Sequence, residues 1–273
     1  MPEIRLIASD MDGTLFNSER DISKRNVEAI LAAQKKGVIF ALCTGRVAQF
    51  GALHTSVRGI TCPVIGTNGS VIWDDRQKKI VVSNPIPTDV GMRVHELLKC
   101  IGVHYYALMP ECIVSSDVNI VHPNATEFNG ALIYEYGVVF SAGKEEMQAA
   151  VERGSVSKFY VPRLPDEIYA KMMVELKKIE GIYLTASGRN CCEIMKEGVN
   201  KRTGVETLAA MHGISMENVM TLGDYDNDVP MLSAAGLGVA MGNAPDEVKA
   251  CAKYVTDTNN NDGVAKVIEK FVL

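Results

Sequence analysis

The chain has 273 residues, of which 28 are Lys or Arg and 33 are Asp or Glu, giving a net charge of −5, and 47% are hydrophobic. This composition supports a sizeable core and excludes wholesale disorder, and the acidic balance argues against a general nucleic-acid binder. The sequence has no run near the ~18 apolar residues a membrane span needs, Asp10 and Asp12 fall where a secretory signal would be apolar, and the length predicts one large domain or two.

Residues 4–9 form a short apolar run that predicts a buried strand, ending in Asp10-Met11-Asp12-Gly13-Thr14. Ser23 reads as a helix N-cap, Val27, Ile30 and Leu31 follow at helical spacing, and Gly37 is a natural stop. Residues 38–43 are nearly all apolar, as in a strand buried on both faces, and end at Thr44-Gly45-Arg46. A helix to about Arg58 and a strand at 63–66 follow. This alternation predicts a parallel sheet with right-handed crossovers. Asn68-Gly69 marks a turn, and residues 71–73 and 80–82 read as a hairpin around a polar stretch.

Between about residues 88 and 187 the pattern changes. Two helices are predicted, at 89–100 and 165–179, with short strands at 103–108, 112–115, 132–140, 158–161 and 182–185. They suggest an α+β insert built on an open antiparallel sheet. After Ser187-Gly188-Arg189-Asn190 the βα alternation resumes: a helix over 201–212 closed by Gly213, a strand at 219–222 ending in Gly223-Asp224, a strand at 237–241, Pro245 in the first turn of the next helix, and a terminal helix at 264–271. The expected architecture is a Rossmann-like α/β core, residues 1–84 and 191–273, carrying an inserted α+β cap at 85–190. The seven cysteines are odd in number and form no Cys-x-x-Cys pair, which reads as reduced thiols in a cytoplasm. The five histidines show no ligand spacing.

Ligands of open parallel sheets bind at the carboxyl ends of strands. Three such ends carry Asp10 with Asp12, Thr44 with Gly45, and Asp224 with Asn227 and Asp228. Four carboxylates at one edge repel one another, and a hard cation such as Mg²⁺ relieves the repulsion while accepting carboxylate, water and phosphate oxygens. Carboxylates, a Thr hydroxyl and a Lys together suggest phosphoryl chemistry.

Asp10-Met11-Asp12-Gly13-Thr14-Leu15 resembles the first motif of the haloacid dehalogenase superfamily. Thr44-Gly45-Arg46 resembles its second motif, Lys201 in Gly198-Val199-Asn200-Lys201 its third, and Gly223-Asp224-Tyr225-Asp226-Asn227-Asp228 its fourth. The match extends through the Asn68-Gly69 turn and the position of the insert. It points to the Cof-like type IIB phosphatases, whose α/β cap follows the third core strand.

The resemblance implies that Asp10 is a nucleophile forming an aspartyl-phosphate, and that Asp12 protonates the leaving oxygen and then activates water. Thr44 and the Gly45 amide would hold phosphate oxygens, with Met11 near them through its backbone. Lys201 would neutralise charge and Asn227 would touch phosphate. Mg²⁺ would be held by Asp10, the Asp12 carbonyl, Asp224 and, through water, Asp228. Arg46 stays open between a phosphate neighbour and a structural ion-pair partner, and Asp226 reads as a solvated loop carboxylate. The implied activity is Mg²⁺-dependent hydrolysis of a small phosphorylated metabolite, such as a sugar phosphate or pyridoxal phosphate, without nucleic-acid or membrane partners. A phosphomutase and a non-catalytic phosphometabolite sensor are the alternatives. The sequence leaves open the substrate, the cap residues that select it (in stretches such as 105–112 or 116–128) and the oligomeric state.

Overall fold

The chain opens with Leu6–Ser9 (β1), every residue of which is buried. Ser23 caps the following helix, Lys24–Lys35 (α1), its side chain accepting the Asn26 amide. Asn26, Ala29, Ile30 and Ala33 form its buried stripe, the 3–4 spacing of a helix with one apolar face. Next come Ile39–Cys43 (β2), Ala48–Ser56 (α2), Val64–Gly66 (β3), Val71–Asp74 (β4) and Lys79–Ser83 (β5). The middle of the chain holds Thr88–Ile101 (α3), Tyr106–Leu108 (β6), Cys112–Ser115 (β7), Val139–Ala142 (β8), Lys144–Glu152 (α4), Lys158–Val161 (β9), Asp166–Leu176 (α5), Ile182–Thr185 (β10) and Cys192–Lys196 (β11). The last part is Lys201–Met211 (α6), Val219–Gly223 (β12), Val229–Ala234 (α7), Leu237–Ala240 (β13), Asp246–Lys249 (α8), Tyr254–Val255 (β14) and Gly263–Phe271 (α9). This computed structural model describes residues 3–120 and 136–273.

Two compact units result: Met1–Lys79 with Asn200–Leu273, and Ile80–Val199. The first holds the strands β14-β13-β12-β1-β2-β3-β4, hydrogen-bonded in that order, while β5, the next strand of the same sheet, starts at the unit boundary and falls in the second unit, which therefore begins at Ile80 rather than at residue 85. All pairs from β14 to β3 are parallel, and β4 runs antiparallel to β3. The chain leaves β1 toward β2 on one side and returns later as β12 on the other, which makes the β1–β12 boundary a topological switch point.

Among its described residues the second unit has a six-stranded sheet, ordered β10-β11-β9-β6-β7-β8. Its pairs are antiparallel except β7 with β8, which is parallel. Val94 and Leu98 of α3, Met147 and Val151 of α4, and Met172 and Leu176 of α5 pack with Ala107, Phe159, Val161 and Ile194 in its own core. Truncating one such large side chain to Ala typically costs about 2–5 kcal/mol.

The expected α/β architecture with a second sheet is present, with four local differences. First, β11 belongs to the second sheet. The Ser-Gly-Arg-Asn stretch, read as the return to the main sheet, is the loop of a hairpin in which Ile182 pairs Lys196 and Thr185 pairs Glu193. The second unit therefore runs on to Val199 rather than stopping at residue 190. Second, it has a further helix among the described residues, α4, absent from the sequence reading although Met147, Ala150 and Val151 are buried at helical spacing. Third, of the strand expected at 132–140, residues 132–135 lie outside the described residues, as do 121–128 of the stretch considered for substrate selection, and the observed strand is β8. Fourth, Pro245 is the N-cap of α8 rather than a first-turn residue.

Candidate active site

Strand register aligns the motifs. Ser9 pairs with Leu222 on one side and with Leu42 on the other. The next residue along each strand, Asp10, Gly223 and Cys43, therefore sits at one level, and Asp224 and Thr44 follow one step beyond. Parallel neighbours lie about 4.8 Å apart, so strand register alone brings these groups together at the carboxyl edge.

Asp10 caps a π-type turn, Met11–Leu15, within which Asp12 and Gly13 leave helical geometry (φ −81° and +84°). A Cβ on Gly13 would come within 2.4 Å of Asp224 Oδ2, so both the positive φ and this approach require glycine. Thr14, the next residue, donates its hydroxyl to Asp224 Oδ1 at 2.7 Å. Met11 is fully buried.

Lys201 opens α6, whose N-cap Asn200 forms a reciprocal capping box with Thr203. Its ammonium is 1% exposed and donates to Asp10 Oδ1 and Asp228 Oδ1, both at 2.5 Å. The other Asp228 oxygen accepts the backbone amides of Asp224 and Tyr225 at 2.9 and 3.1 Å. Carboxylate oxygens of Asp10, Asp224 and Asp228 lie within 4.8 Å of one another.

One ammonium thus faces three carboxylates. Burial works against the Lys201 charge, but Asp10 and Asp228 outweigh it and hold the ammonium well above its usual pKa. The surplus negative charge falls on the other groups. Burial, reinforced by Asp228 and Asp224, raises the Asp10 carboxyl well above the ordinary carboxylate range despite the pull of Lys201. Asp224 is pushed up to about 6, by burial first and then by Asp228. A largely buried set of hard oxygen donors with surplus negative charge fits a metal ion, and these three residues could hold one.

The Asp12 carboxylate points elsewhere. Arg46 grips it with two bonds, Nε to Oδ2 at 2.8 Å and Nη2 to Oδ1 at 2.6 Å. Asp12 is half exposed, at 49%. Of the two roles the sequence left open for Arg46, that of an ion-pair partner is seen here, with Asp12 as the partner. Thr44 is buried, and its Oγ1 accepts the Arg46 amide at 3.1 Å beside Gly45. Asn227 is buried, and its Nδ2 lies 3.4 Å from Asn68 Oδ1. Asp226 is exposed, as expected of a loop carboxylate.

The sequence reading missed three contacts: Thr14 on Asp224, Arg46 on Asp12 and Asn68 on Asn227. The partners are separated by 210, 34 and 159 residues along the chain, and no local pattern signals a pairing at such distance.

Residues 7–268 match the haloacid dehalogenase-like hydrolase family. The chain is 34% identical over 271 residues to the 5-amino-6-(5-phospho-D-ribitylamino)uracil phosphatase YcsE of Bacillus subtilis (strain 168), covering 99% of this chain and 97% of that protein. It is 29% identical to the pyridoxal phosphate phosphatase YbhA of Escherichia coli (strain K12), covering 97% of each. Among solved structures, a haloacid dehalogenase-like hydrolase from B. subtilis superposes with a TM-score of 0.84 at 25% identity, covering 97% of this chain and 99% of that one. Family match, relatives and fold agree with the residues gathered at the sheet edge: the chain belongs to the haloacid dehalogenase-like hydrolases, among their Cof-like type IIB phosphatases, which are phosphoric monoester hydrolases.

Proposed function

We propose that the protein is a Mg²⁺-dependent phosphatase of a small phosphorylated metabolite that works through an aspartyl-phosphate on Asp10. The observation that carries the reading is the set of Asp10, Asp224 and Asp228, two of them buried and one partly buried, around the buried Lys201 at the switch point of the sheet. The phosphatase relatives act on a ribityl-uracil phosphate and on pyridoxal phosphate. Both are phosphate monoesters of small heteroaromatic metabolites, and the proposed substrate is of that size and class.

In this mechanism an Asp10 oxygen attacks phosphorus as the ester oxygen leaves, so that the P–O bond to the alcohol breaks and an acyl-phosphate bond forms. Asp12 gives the departing oxygen a proton. It then takes a proton from the water that attacks the acyl-phosphate at phosphorus, which returns Asp10 as a carboxylate and releases phosphate. Thr44, the Gly45 amide and Asn227 hold the non-bridging oxygens, and Met11 lies near them through its backbone. Lys201 keeps Asp10 oriented and offsets the charge that builds on the phosphoryl group. Asp10, Asp224, the Asp12 carbonyl and, through water, Asp228 would hold Mg²⁺, which supplies positive charge to the carboxylates and the phosphoryl oxygens.

No helix among the described residues is long and apolar enough to cross a membrane. All seven cysteines are free thiols, which supports a cytoplasmic site of action. The test is phosphate release from a panel of phosphorylated metabolites with Mg²⁺ and without any bisphosphate. Stoichiometric release on one of them is expected. Turnover that requires a bisphosphate primer would instead identify a phosphomutase.

A further inference from the structure

The turn between β3 and β4 contacts all three later motifs. The Asn68 amide donates to the Thr44 carbonyl at 3.0 Å, and the Thr67 amide donates to the Arg46 carbonyl at 2.8 Å. A Cβ on Gly69 would lie 2.1 Å from the carbonyl oxygen of Asn200, the residue before Lys201. The Asn68 side chain meets Asn227.

The turn holds an unfavourable conformation to do this. Thr67, Asn68 and Gly69 all have positive φ, +46°, +54° and +101°. Asn and Gly tolerate that region, but a β-branched threonine does not. The Thr67 hydroxyl is also buried with no hydrogen-bond partner among the described residues. A backbone strained at this density persists only where its surroundings dictate it, and such places cluster at working sites.

We propose that Asn68 is a positioning residue for phosphate binding. An asparagine amide has a donor end and an acceptor end of nearly equal shape, and only the donor end suits a phosphoryl oxygen. By accepting one N–H of the Asn227 amide, Asn68 Oδ1 fixes which end faces the site and leaves the second N–H for phosphate. Both side chains are buried, at 1% and 7% exposure, so water cannot easily substitute for the missing acceptor. Their separation, 3.4 Å, is at the long end for such a bond. The inference rests on the proposed role of Asn227 in holding phosphate.

The test uses the full chain with Mg²⁺, 4-nitrophenyl phosphate as substrate and inorganic phosphate as inhibitor. The variants are Asn68→Gly, Asn68→Ala, Asn227→Ala and the double Asn68→Gly/Asn227→Ala. Glycine accepts the positive φ, so Asn68→Gly removes the acceptor while sparing the turn, and a melting temperature close to that of the wild type checks that it folds. Asn227→Ala should lower kcat/KM about a hundredfold, the scale of one lost transition-state donor. Asn68→Gly should lower it about tenfold or more and weaken inhibition by phosphate in step. The double variant should be no worse than Asn227→Ala alone, because residues acting through one contact are not additive. Wild-type kcat/KM in Asn68→Gly would overturn the proposal, even with Asn68→Ala impaired, since the effect would then belong to the backbone. Losses that multiply in the double variant would overturn it too, by showing that Asn68 acts independently. An unimpaired Asn227→Ala would instead remove the role of Asn227, and the inference with it.

Discussion

Each unit of the molecule buries a lysine against a carboxylate, and the two arrangements differ in charge balance. In the second unit Lys158 and Glu193 are both 3% exposed and 2.7 Å apart. Ser187 donates to the same Glu193 oxygen at 3.2 Å, and the Lys158 ammonium lies 5.7 Å from the Tyr160 ring centre. Among the described residues this ion pair joins one cation to one anion, on adjacent strands β9 and β11. In the first unit Lys201 is equally buried but faces Asp10 and Asp228, with Asp224 beside them. A balanced buried pair roughly breaks even against an apolar replacement. An unbalanced cluster is costly unless another cation shares the site. Burial alone therefore does not mark a working site, whereas surplus charge at a strand edge does.

The harshest way to break this contrast is Asp10→Asn. Loss of a covalent nucleophile should reduce phosphate release by more than about a thousandfold and abolish any hydroxylamine-labile phosphoryl group on the protein. Turnover near the wild-type rate would sink the assignment. Asp12→Asn, assayed with an activated aryl phosphate, should by contrast let that phosphoryl group accumulate, because departure of the leaving group then needs little proton donation.

Removing the lysine from each cluster sharpens the comparison. Lys201→Met leaves three carboxylates with no internal cation. Metal-free protein should lose about 3–5 kcal/mol, and added Mg²⁺ should restore a larger share of stability than it adds to the wild type. Thermal melts with and without Mg²⁺ read both effects. Equal Mg²⁺ shifts in the two proteins would argue against a shared cation site.

The pH dependence follows from the raised carboxyls. Asp224 titrates at about 6 in the folded chain against an ordinary 3.8, so the native state favours its protonated form. Its contribution is full below about pH 4 and is lost as the pH rises through about 6. At ~1.4 kcal/mol per unit, the loss is about 3 kcal/mol. Asp10 acts in the same direction. Metal-free wild type should therefore lose more stability than Asp224→Asn between pH 4 and 6.5. Mg²⁺, which binds the ionised carboxylates, should stabilise the wild type increasingly over the same window. Denaturant melts of both proteins across that range decide it, and parallel profiles would count against the buried, surplus charge.

The mildest expected effect is that of a double substitution in the second unit. Lys158→Met alone strands Glu193 and should cost about 3–5 kcal/mol, but Lys158→Met/Glu193→Leu should return to within about 1 kcal/mol of the wild type. It should leave the Mg²⁺ shift unchanged. A double variant as unstable as the single one would show that this pair, too, does more than balance itself.

The main sheet and the candidate site at its edge were readable from the sequence because their signals are local. Strands buried on both faces appear as unbroken apolar runs, as at residues 38–43, and each ends on the residue type that its motif requires. Once such strands lie parallel in register, Asp10, Thr44 and Asp224 have to meet, so the candidate set follows from fold class and motif together. Ser23 likewise announces its helix through a side chain that bonds three residues ahead. The limits of the insert were less legible. A turn-rich stretch such as 187–190 looks the same whether it joins two units or closes a hairpin, and only the pairing of Cys192–Lys196 with β9 and β10 decided for the hairpin.

Tertiary structure alone decided which side chains partner one another at the site. Nothing near Arg46 in the sequence says that it grips Asp12 rather than a ligand, and nothing near Asn68 says that it meets Asn227. Composition and periodicity report which face of an element is apolar. They carry no information on which polar group will be opposite once strands 34 to 210 residues apart are stacked. That depends on register and on the few ångströms of approach that glycines such as Gly13 and Gly69 permit, and it is in those approaches that the charge balance of the site is set.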